Sequence, residues 1–405
     1  MHPEPTVARE PSSKAHGFVP SRMRTTIPYV DDFIHLDSAA GSLADQSVHD
    51  AILAHLDLEG RRGNTEARRA VADRIDEIYD DLSELVRVPR EGLSISESHT
   101  AAWQRAFQAV SLEEGDRVLV GRTEWGGNLS AIWQRCRSTG AEMEIIPSDP
   151  SGAIDATALA RMLDHRVRVV CATWVPAVTG IVNAVEQVAM ALKDHPAWLF
   201  VDAAQAFGNV ATDLSHARLD VVTVSARKYL RAPRGTGFAV YSRRFLSNVE
   251  PLGMDQFSGP WQADEGPDPI SGARRFEFIE TSFAVRLGLA AAVKFALARD
   301  LEADMTTIQA MAAELRAALA DLPDVTVQDH GDSLSGIVTF SHDTFTPVQI
   351  KAALGAVRIN IGAPQHSYGP LWYASDHPAV ARLSPHAFNT HAELERAVKT
   401  IANLK

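Results

Sequence analysis

Two stretches of this chain carry the residues best suited to chemistry. Phe200-Val-Asp-Ala-Ala-Gln205 ends an apolar, β-rich run on an acid, and Val224-Ser-Ala-Arg-Lys228 ends a second such run on a lysine. Asp202 and Lys228 are the two groups that pyridoxal phosphate (PLP) needs. One is a carboxylate to keep the pyridine nitrogen protonated, the other an amine to link covalently to the aldehyde. Taken singly, Asp202 reads equally well as a helix N-cap after a strand, and Lys228 as a solvated surface lysine. The glycine-rich turn Arg231-Ala-Pro-Arg-Gly-Thr-Gly237 follows the lysine and favours the chemical reading, because glycine lets backbone approach a ligand closely. Gln205 stands where it can hydrogen-bond the cofactor's phenolic oxygen.

A bound phosphate needs donors. Ser96-Glu-Ser-His-Thr100 leads straight into a helical pattern, so Ser98, His99 and Thr100 are candidates for an anion site at a helix N-terminus. Plain N-capping by Ser98 or Thr100 explains the same residues. Ser225 and Arg227 supplement the site from the lysine loop, arginine offering a fork of donors that matches phosphate. Trp125, in Thr123-Glu-Trp-Gly-Gly-Asn128, can stack on the pyridine ring. Arg382, in Ala381-Arg-Leu-Ser-Pro-His-Ala-Phe-Asn-Thr390, is the candidate for holding a substrate α-carboxylate.

The elements that must position these groups follow from the pattern. Short β-rich runs at 117–120, 143–146, 167–171, 198–201, 220–224 and 237–241 alternate with helical stretches such as 100–110 and 185–193. That alternation predicts α/β architecture with a mostly parallel sheet, whose ligands bind at the carboxyl ends of the strands. The Gly-, Pro- and Asp-rich segment 253–272 marks a boundary, beyond which helices over 287–322, strands near 325–327 and 336–341 and a last helix at 391–404 form a smaller α+β unit. The expected division is an N-terminal arm and joining segment at 1–44, a large cofactor-binding domain at 45–262 and a small domain at 263–405.

With 405 residues there is room for both domains, and the net charge of −12 argues against nucleic acid or an anionic membrane as partner. No apolar run approaches the length of a membrane span, and Met1 to Ser13 reads as a mobile arm rather than a signal peptide, so a cytoplasmic location is expected. The two cysteines, Cys136 and Cys171, form no disulfide framework or metal cluster.

Together these segments resemble the class V aminotransferase group of fold-type I PLP enzymes, from about Ile34 to the C-terminus. Ile34-His-Leu-Asp-Ser-Ala-Ala is similar to the family's "YLDNAA" opening, and Glu124-Trp-Gly-Gly-Asn to its "E-[HY]-x-x-N". Thr173-Trp-Val-Pro-Ala-Val-Thr-Gly180 resembles "H-V-x-x-x-x-G"; Phe200 to Gln205, Ser225 to Lys228 and Arg382 to Thr390 resemble "VDgAQ", "SxHK" and "RxSxxxYNT". The resemblance implies a fold-type I PLP enzyme with a seven-stranded-type sheet, with Ser38 and Ala39 on the substrate side. It also implies a homodimer with shared active sites, to which Ala273 to Ser282 and Arg61 to Thr65 are contributed across the interface. There Glu280 stands where the family's threonine touches the phosphate, and would turn away to pair with Arg274 or Arg275, leaving Thr281 or Arg227 to make the phosphate contact.

Departures from the family pattern bear on the reaction. Arg227 stands in place of the usual histidine, which is similar to the isopenicillin N epimerase-like and ergothioneine-pathway C–S lyase branch, with related enzymes in lincosamide pathways. The loop Asn360 to Tyr373 contains no cysteine where desulfurases carry theirs, and instead offers His366, Tyr368, Trp372 and Tyr373, with His366 and Tyr368 as candidate substrate contacts. Sulfur transfer to an enzyme thiolate is therefore excluded. The expectation is a C–S β-lyase acting on a cysteine S-conjugate in the making of a sulfur-containing natural product. Decarboxylation with oxidative deamination, transamination, epimerisation and a non-catalytic role are the alternatives.

Overall fold

The computed structural model describes residues 23–216, 218–375 and 377–404; the arm expected at Met1 to Ser13 lies outside them. Strand β1 (Ile34–Leu36) comes first, then helices α1 (Gln46–Arg62), α2 (Asn64–Ala70) and α3 (Ala72–Val86). The chain next builds β2 (Leu93–Ser96), α4 (His99–Gln108), β3 (Arg117–Gly121), α5 (Gly126–Thr139), β4 (Glu142–Ile146), β5 (Val167–Thr173), β6 (Trp198–Asp202), β7 (Val221–Ser225) and β8 (Gly237–Tyr241). These seven strands form one sheet in the order β2-β8-β7-β6-β5-β3-β4. Only β8 runs against its neighbours; the β3, β4, β5, β6 and β7 ladders are parallel.

Except for the edge strand β4, the strands are buried on both faces, as a parallel sheet between helices requires, and their Val, Ile, Leu and Phe residues divide between two apolar clusters. Strand β2, whose Leu93-Ser-Ile-Ser96 is too short and too polar to stand out in the sequence, pairs with β8 and forms one edge of the sheet. Because the connections are βα crossovers, the ends of β5, β6 and β7 all reach the same edge, carrying Thr173, Asp202 and Ser225.

The smaller unit is a three-stranded antiparallel sheet (Val325–Val327, Val338–His342, Ala381–Leu383) packed on helices Leu301–Ala320, Pro347–Ala356 and His391–Ala402. Strand β1 pairs in parallel with Ile359–Ile361, so the N-terminal segment is tied to this unit. The division expected at 262/263 comes too early. Helix Phe283–Leu297 contributes Leu289, Ala292, Val293 and Ala296 to the apolar cluster that holds Val201 and Val222 of the sheet, so it folds with the large unit. Its hydrophobic face is long enough to cover α1 and α3, and that burial outweighs the Gly/Pro-rich boundary signal upstream. Among the described residues no helix is long and apolar enough to cross a membrane.

Candidate active site

A cavity of about 480 Å³ opens at the carboxyl edge of the sheet, lined by groups from Ala39, Ser98, His99, Thr100, Trp125, Asp202, Gln205, Ser225, Arg227, Lys228, Tyr368 and Arg382 among others. Asp202 is the last residue of β6, and its Oδ1 accepts from the Ala204 N–H at 2.8 Å and lies 3.0 Å from His99 Nε2. Asn128 Nδ2 donates to its Oδ2 at 3.1 Å. Burial alone would raise the Asp202 carboxyl, but His99, Lys228 and the Ala204 amide together hold it below the usual carboxylate range. Asp202 thus stays ionised in a dry setting, as a partner for a pyridinium must. His99 serves it by holding the carboxylate from the first turn of α4.

Lys228 follows β7 on a tight turn in which its N–H reaches back to Ser225 O at 3.4 Å. Burial, with the Arg227 charge beside it, lowers the Lys228 ammonium to about 7 against the pull of Asp202. A lysine with its amine available near neutral pH, at the wall of a cleft, is suited to bond covalently to an aldehyde. Arg227 donates through Nη1 to Ser225 Oγ at 3.2 Å, so the two supplementary anion ligands are joined to each other.

The phosphate end is built by α4. Ser98 caps it, its Oγ accepting the Ala101 N–H at 3.1 Å, which satisfies one orphan donor and leaves the first-turn amides of His99 and Thr100 to face the cavity edge. Capping and anion binding therefore coexist. Gly237, opposite, has no room for a side chain: a Cβ there would lie 2.6 Å from His99 N and 2.7 Å from Ser98 C. Glycine is required by that close approach of β8 to the helix start.

At the far end, Arg382 is buried and gives Nη1 to Ala177 O and Nη2 to Asp37 Oδ1, both at 2.9 Å, while its Nε has no partner. Gln205 donates through Nε2 to Ala39 O at 2.9 Å, and its Oε1 is likewise buried and unpartnered. These orphaned atoms on a cavity wall mark where bound polar groups fit. The rings of Trp125 and Tyr368, both on the cavity wall, meet at 4.9 Å, tilted by 52°.

Two expected contacts are placed elsewhere, and Thr281, expected to act across a dimer interface, is absent from its own chain's cavity. Ser38 is fully buried and hydrogen-bonded toward Ser42 at 3.3 Å, behind the cavity wall that Ala39 and Ala40 form. His366 stacks on Tyr373 at 4.9 Å and is not among the lining residues, because the short turn His366–Tyr368 points its last residue inward and its first outward. Thr281, just ahead of helix Phe283–Leu297, does not line the cavity of the single chain. Nor does Glu280 pair with the arginines expected for it: Arg274 binds Asp76 at 3.2 Å, and Arg275 donates to the carbonyls of Leu246 and Val249 and lies 3.7 Å from Glu250. Glu124, Asn128, Thr173 and Ala177 also belong to the site, and sequence alone gives their side chains no role beyond a place in the family's motifs. Glu124 and Asn128 flank Trp125 at a spacing of four, one turn of helix, and that spacing was the available signal.

The residues present fit PLP: a strand-end carboxylate for the ring nitrogen, a lysine for the aldehyde, a capped helix start with arginine and serine for the phosphate, and an aromatic ring over the cleft. A family model for aminotransferase class V matches residues 34–397. A probable cysteine desulfurase of Halobacterium salinarum is 28% identical over 92% of this chain and 91% of its own length. A cysteine desulfurase of Salmonella gallinarum is 26% identical over 74% of this chain and 73% of its own. Among solved structures, the cysteine desulfurase CsdA of Escherichia coli shares the fold with a TM-score of 0.86 at 22% identity, covering 95% of this chain and 98% of that one. The cystine C-S lyase C-DES, solved with its reaction product cysteine persulfide, matches with a TM-score of 0.85 at 20% identity, covering 93% and 99%. These relatives are named as desulfurases and a C–S lyase, not as epimerases or ergothioneine-pathway proteins, so the narrower branch is not what they support. From β1 to the last helix, the chain belongs to the aminotransferase class V family, and PLP is the cofactor that its site is built to hold.

Proposed function

We propose that this protein is a PLP-dependent C–S β-lyase that cleaves a cysteine S-conjugate to a thiol, pyruvate and ammonia, in the making of a sulfur-containing natural product. The observation that carries this reading is a cavity equipped with Lys228 and Asp202 but with no thiol on its wall. The chain's two cysteines, Cys136 and Cys171, are both buried in the apolar cluster on the sheet, and burial raises both thiols, Cys171 well above its ordinary value. A protein that accepts sulfur needs a reachable thiolate, and this one has none. The named activities of its relatives, desulfuration and cystine C–S lysis, share the breaking of a bond to cysteine sulfur.

When bound, PLP supplies an electron sink for the pair left at the substrate Cα. Lys228 removes the α-proton, the pair forms the Cα–Cβ double bond, the Cβ–S bond breaks with the thiolate as leaving group, and the released enamine takes up one water in solution to give pyruvate and ammonia. Arg382, on the cavity wall, orients the α-carboxylate, and Asp202 holds its negative charge for the ring nitrogen. Trp125 and Tyr368 roof the substrate end and keep water from the reacting carbon. The reading includes a cytoplasmic homodimer in which Thr281 and the Arg61 to Thr65 segment complete the partner's site.

S-substituted cysteines offered to the holoenzyme test it by product mass. Thiol with pyruvate and ammonia is the expected outcome. Carbon dioxide with a sulfur-linked aldehyde would replace it by oxidative decarboxylation, and alanine with enzyme-bound persulfide from free cysteine would replace it by desulfuration.

A further inference from the structure

A second carboxylate lies behind Asp202, and the proposed reaction makes no use of it. Glu124 sits between β3 and α5 and is 1% exposed. Its Oε1 accepts from Asn128 Nδ2 at 2.7 Å, and the same nitrogen donates to Asp202 Oδ2 at 3.1 Å. One amide nitrogen thus spends both hydrogens in bridging two buried carboxyl groups. Glu124 Oε2 is buried with no partner at hydrogen-bonding geometry, although the Thr173 hydroxyl, itself unpartnered, is near enough to favour the ionised form.

The groups facing Glu124 decide its charge. Asp202 comes from β6 and the Cys171 thiol from β5, while Asn128 and Thr173 are neutral. His99 and Lys228 lie against Asp202 and are absent from the groups that set Glu124. Two negative charges sharing one amide in a dry interior, with those partners on one of them only, is a costly arrangement, and a proton removes the cost.

We propose that Glu124 is a positioning residue that keeps its proton at neutral pH and, through Asn128, fixes the carboxylate of Asp202 so that the cluster presents a single negative charge to the cavity. Burial first, and then the Asp202 charge, push the Glu124 carboxyl up to about 8 against its hydrogen bonds. The unpartnered Oε2 is then a hydroxyl aimed at the equally unpartnered Thr173 Oγ1, which resolves two orphaned atoms at once. This inference rests on Asp202 as the partner of the cofactor ring, but not on which bond the enzyme breaks.

Infrared spectroscopy of the holoenzyme across pH tests it without any substrate. A carboxylic-acid C=O band that shifts in heavy water, titrates out near pH 8 and is missing from Glu124→Gln is the expected result. In Asp202→Asn, which removes the neighbouring charge, the same band should titrate out at lower pH. Thermal stability gives a second readout. A folded-state value raised above the unfolded one means that the native state holds the extra proton between the two, so wild-type stability falls as pH rises through that window. Glu124→Gln lacks this loss, so its melting temperature relative to wild type should climb by a few degrees between about pH 5 and about pH 9. Absence of a protonated-carboxyl band in the wild-type protein at neutral pH overturns the proposal even if the glutamine variant does not fold. So does a band that persists in Glu124→Gln, or one that Asp202→Asn leaves unmoved.

Discussion

Gly126→Ala is a small perturbation from which two opposite outcomes could be argued, and the structure decides between them. Gly126 is the first residue of α5 and does not adopt a positive φ, so alanine is acceptable to the backbone and by helix propensity alone should be stabilising, by up to about 1 kcal/mol. Space forbids it. A Cβ at this position would fall well inside the Ser367 carbonyl oxygen, 3.0 Å from the Ser367 carbonyl carbon and 3.3 Å from Pro370 Cδ. Carbon atoms rest about 3.5–4.0 Å apart and the carbonyl oxygen intrudes further than either carbon, so the turn His366–Tyr368 must retreat by more than about 1 Å, at a cost of about 3 kcal/mol for overpacking. The clash outweighs the propensity gain. Retreat of the turn carries Tyr368 away from Trp125 and opens the roof of the substrate end. A misplacement of about 1 Å at a reacting centre is worth up to about a hundredfold in rate, so kcat/KM for a cysteine S-conjugate should fall by about ten- to a hundredfold while the cofactor stays bound. Steady-state kinetics with the cofactor's visible absorbance as a loading control measures both. Unchanged kcat/KM would refute the idea that this turn is seated on α5 to close the site.

Three further outcomes follow from the same geometry. Arg382→Ala should weaken discrimination between a substrate's α-carboxylate and the corresponding amide by about 2–5 kcal/mol, and a variant that still prefers the acid would remove Arg382 from that role. Because Arg382 also pairs with Asp37, an Asp37→Asn control separates lost substrate binding from lost support. Asp202→Asn should retain PLP but slow turnover by at least about a hundredfold, as an amide cannot stabilise a ring cation; near-normal turnover contradicts the assignment. Covalent capture of PLP by the apoprotein needs the neutral Lys228 amine, so its rate should rise with pH through about 7 and level off above; a midpoint near the ordinary lysine value would show that burial does not act on this amine.

Most of the large sheet was legible in the sequence because its central strands are buried on both faces and read as apolar runs between helical stretches, and β6 and β7 end at residues with chemistry. Asp202, Lys228 and Trp125 could be named for that reason. What escaped the reading depended on side-chain direction or on distant partners. The turn His366–Tyr368 turns one ring in and the other out, and no local pattern tells which. Ser38 and Ala39 are neighbours in sequence, yet only Ala39 reaches the cavity. Glu124 and Asn128 stand inside a motif whose tryptophan is the residue with evident chemistry. Their role depends on Asp202 lying against them, a contact across 74 residues that only the packed sheet creates. Helix Phe283–Leu297 was assigned to the wrong unit because composition marks a loop, whereas the domain boundary is set by what a helix buries against.

The electrostatics of the cavity run opposite to those of the whole chain. The protein carries a net charge of −12, yet Arg227, Lys228, Arg234 and Arg382 line one cavity with Asp202 and Glu97 as its carboxylates, and Glu97 is held by Arg105. Burial first, then the charges of Arg234 and Arg382, hold the Arg227 guanidinium below its ordinary value, with Tyr368 and Asp37 opposing them. Crowded cations of this kind destabilise one another until anions arrive. A phosphate at the start of α4 and a carboxylate at Arg382 would each relieve that strain, leaving Lys228 with its amine available. The same charges that lower the lysine therefore recruit the groups it must meet, and the acidic exterior confines that attraction to the cleft.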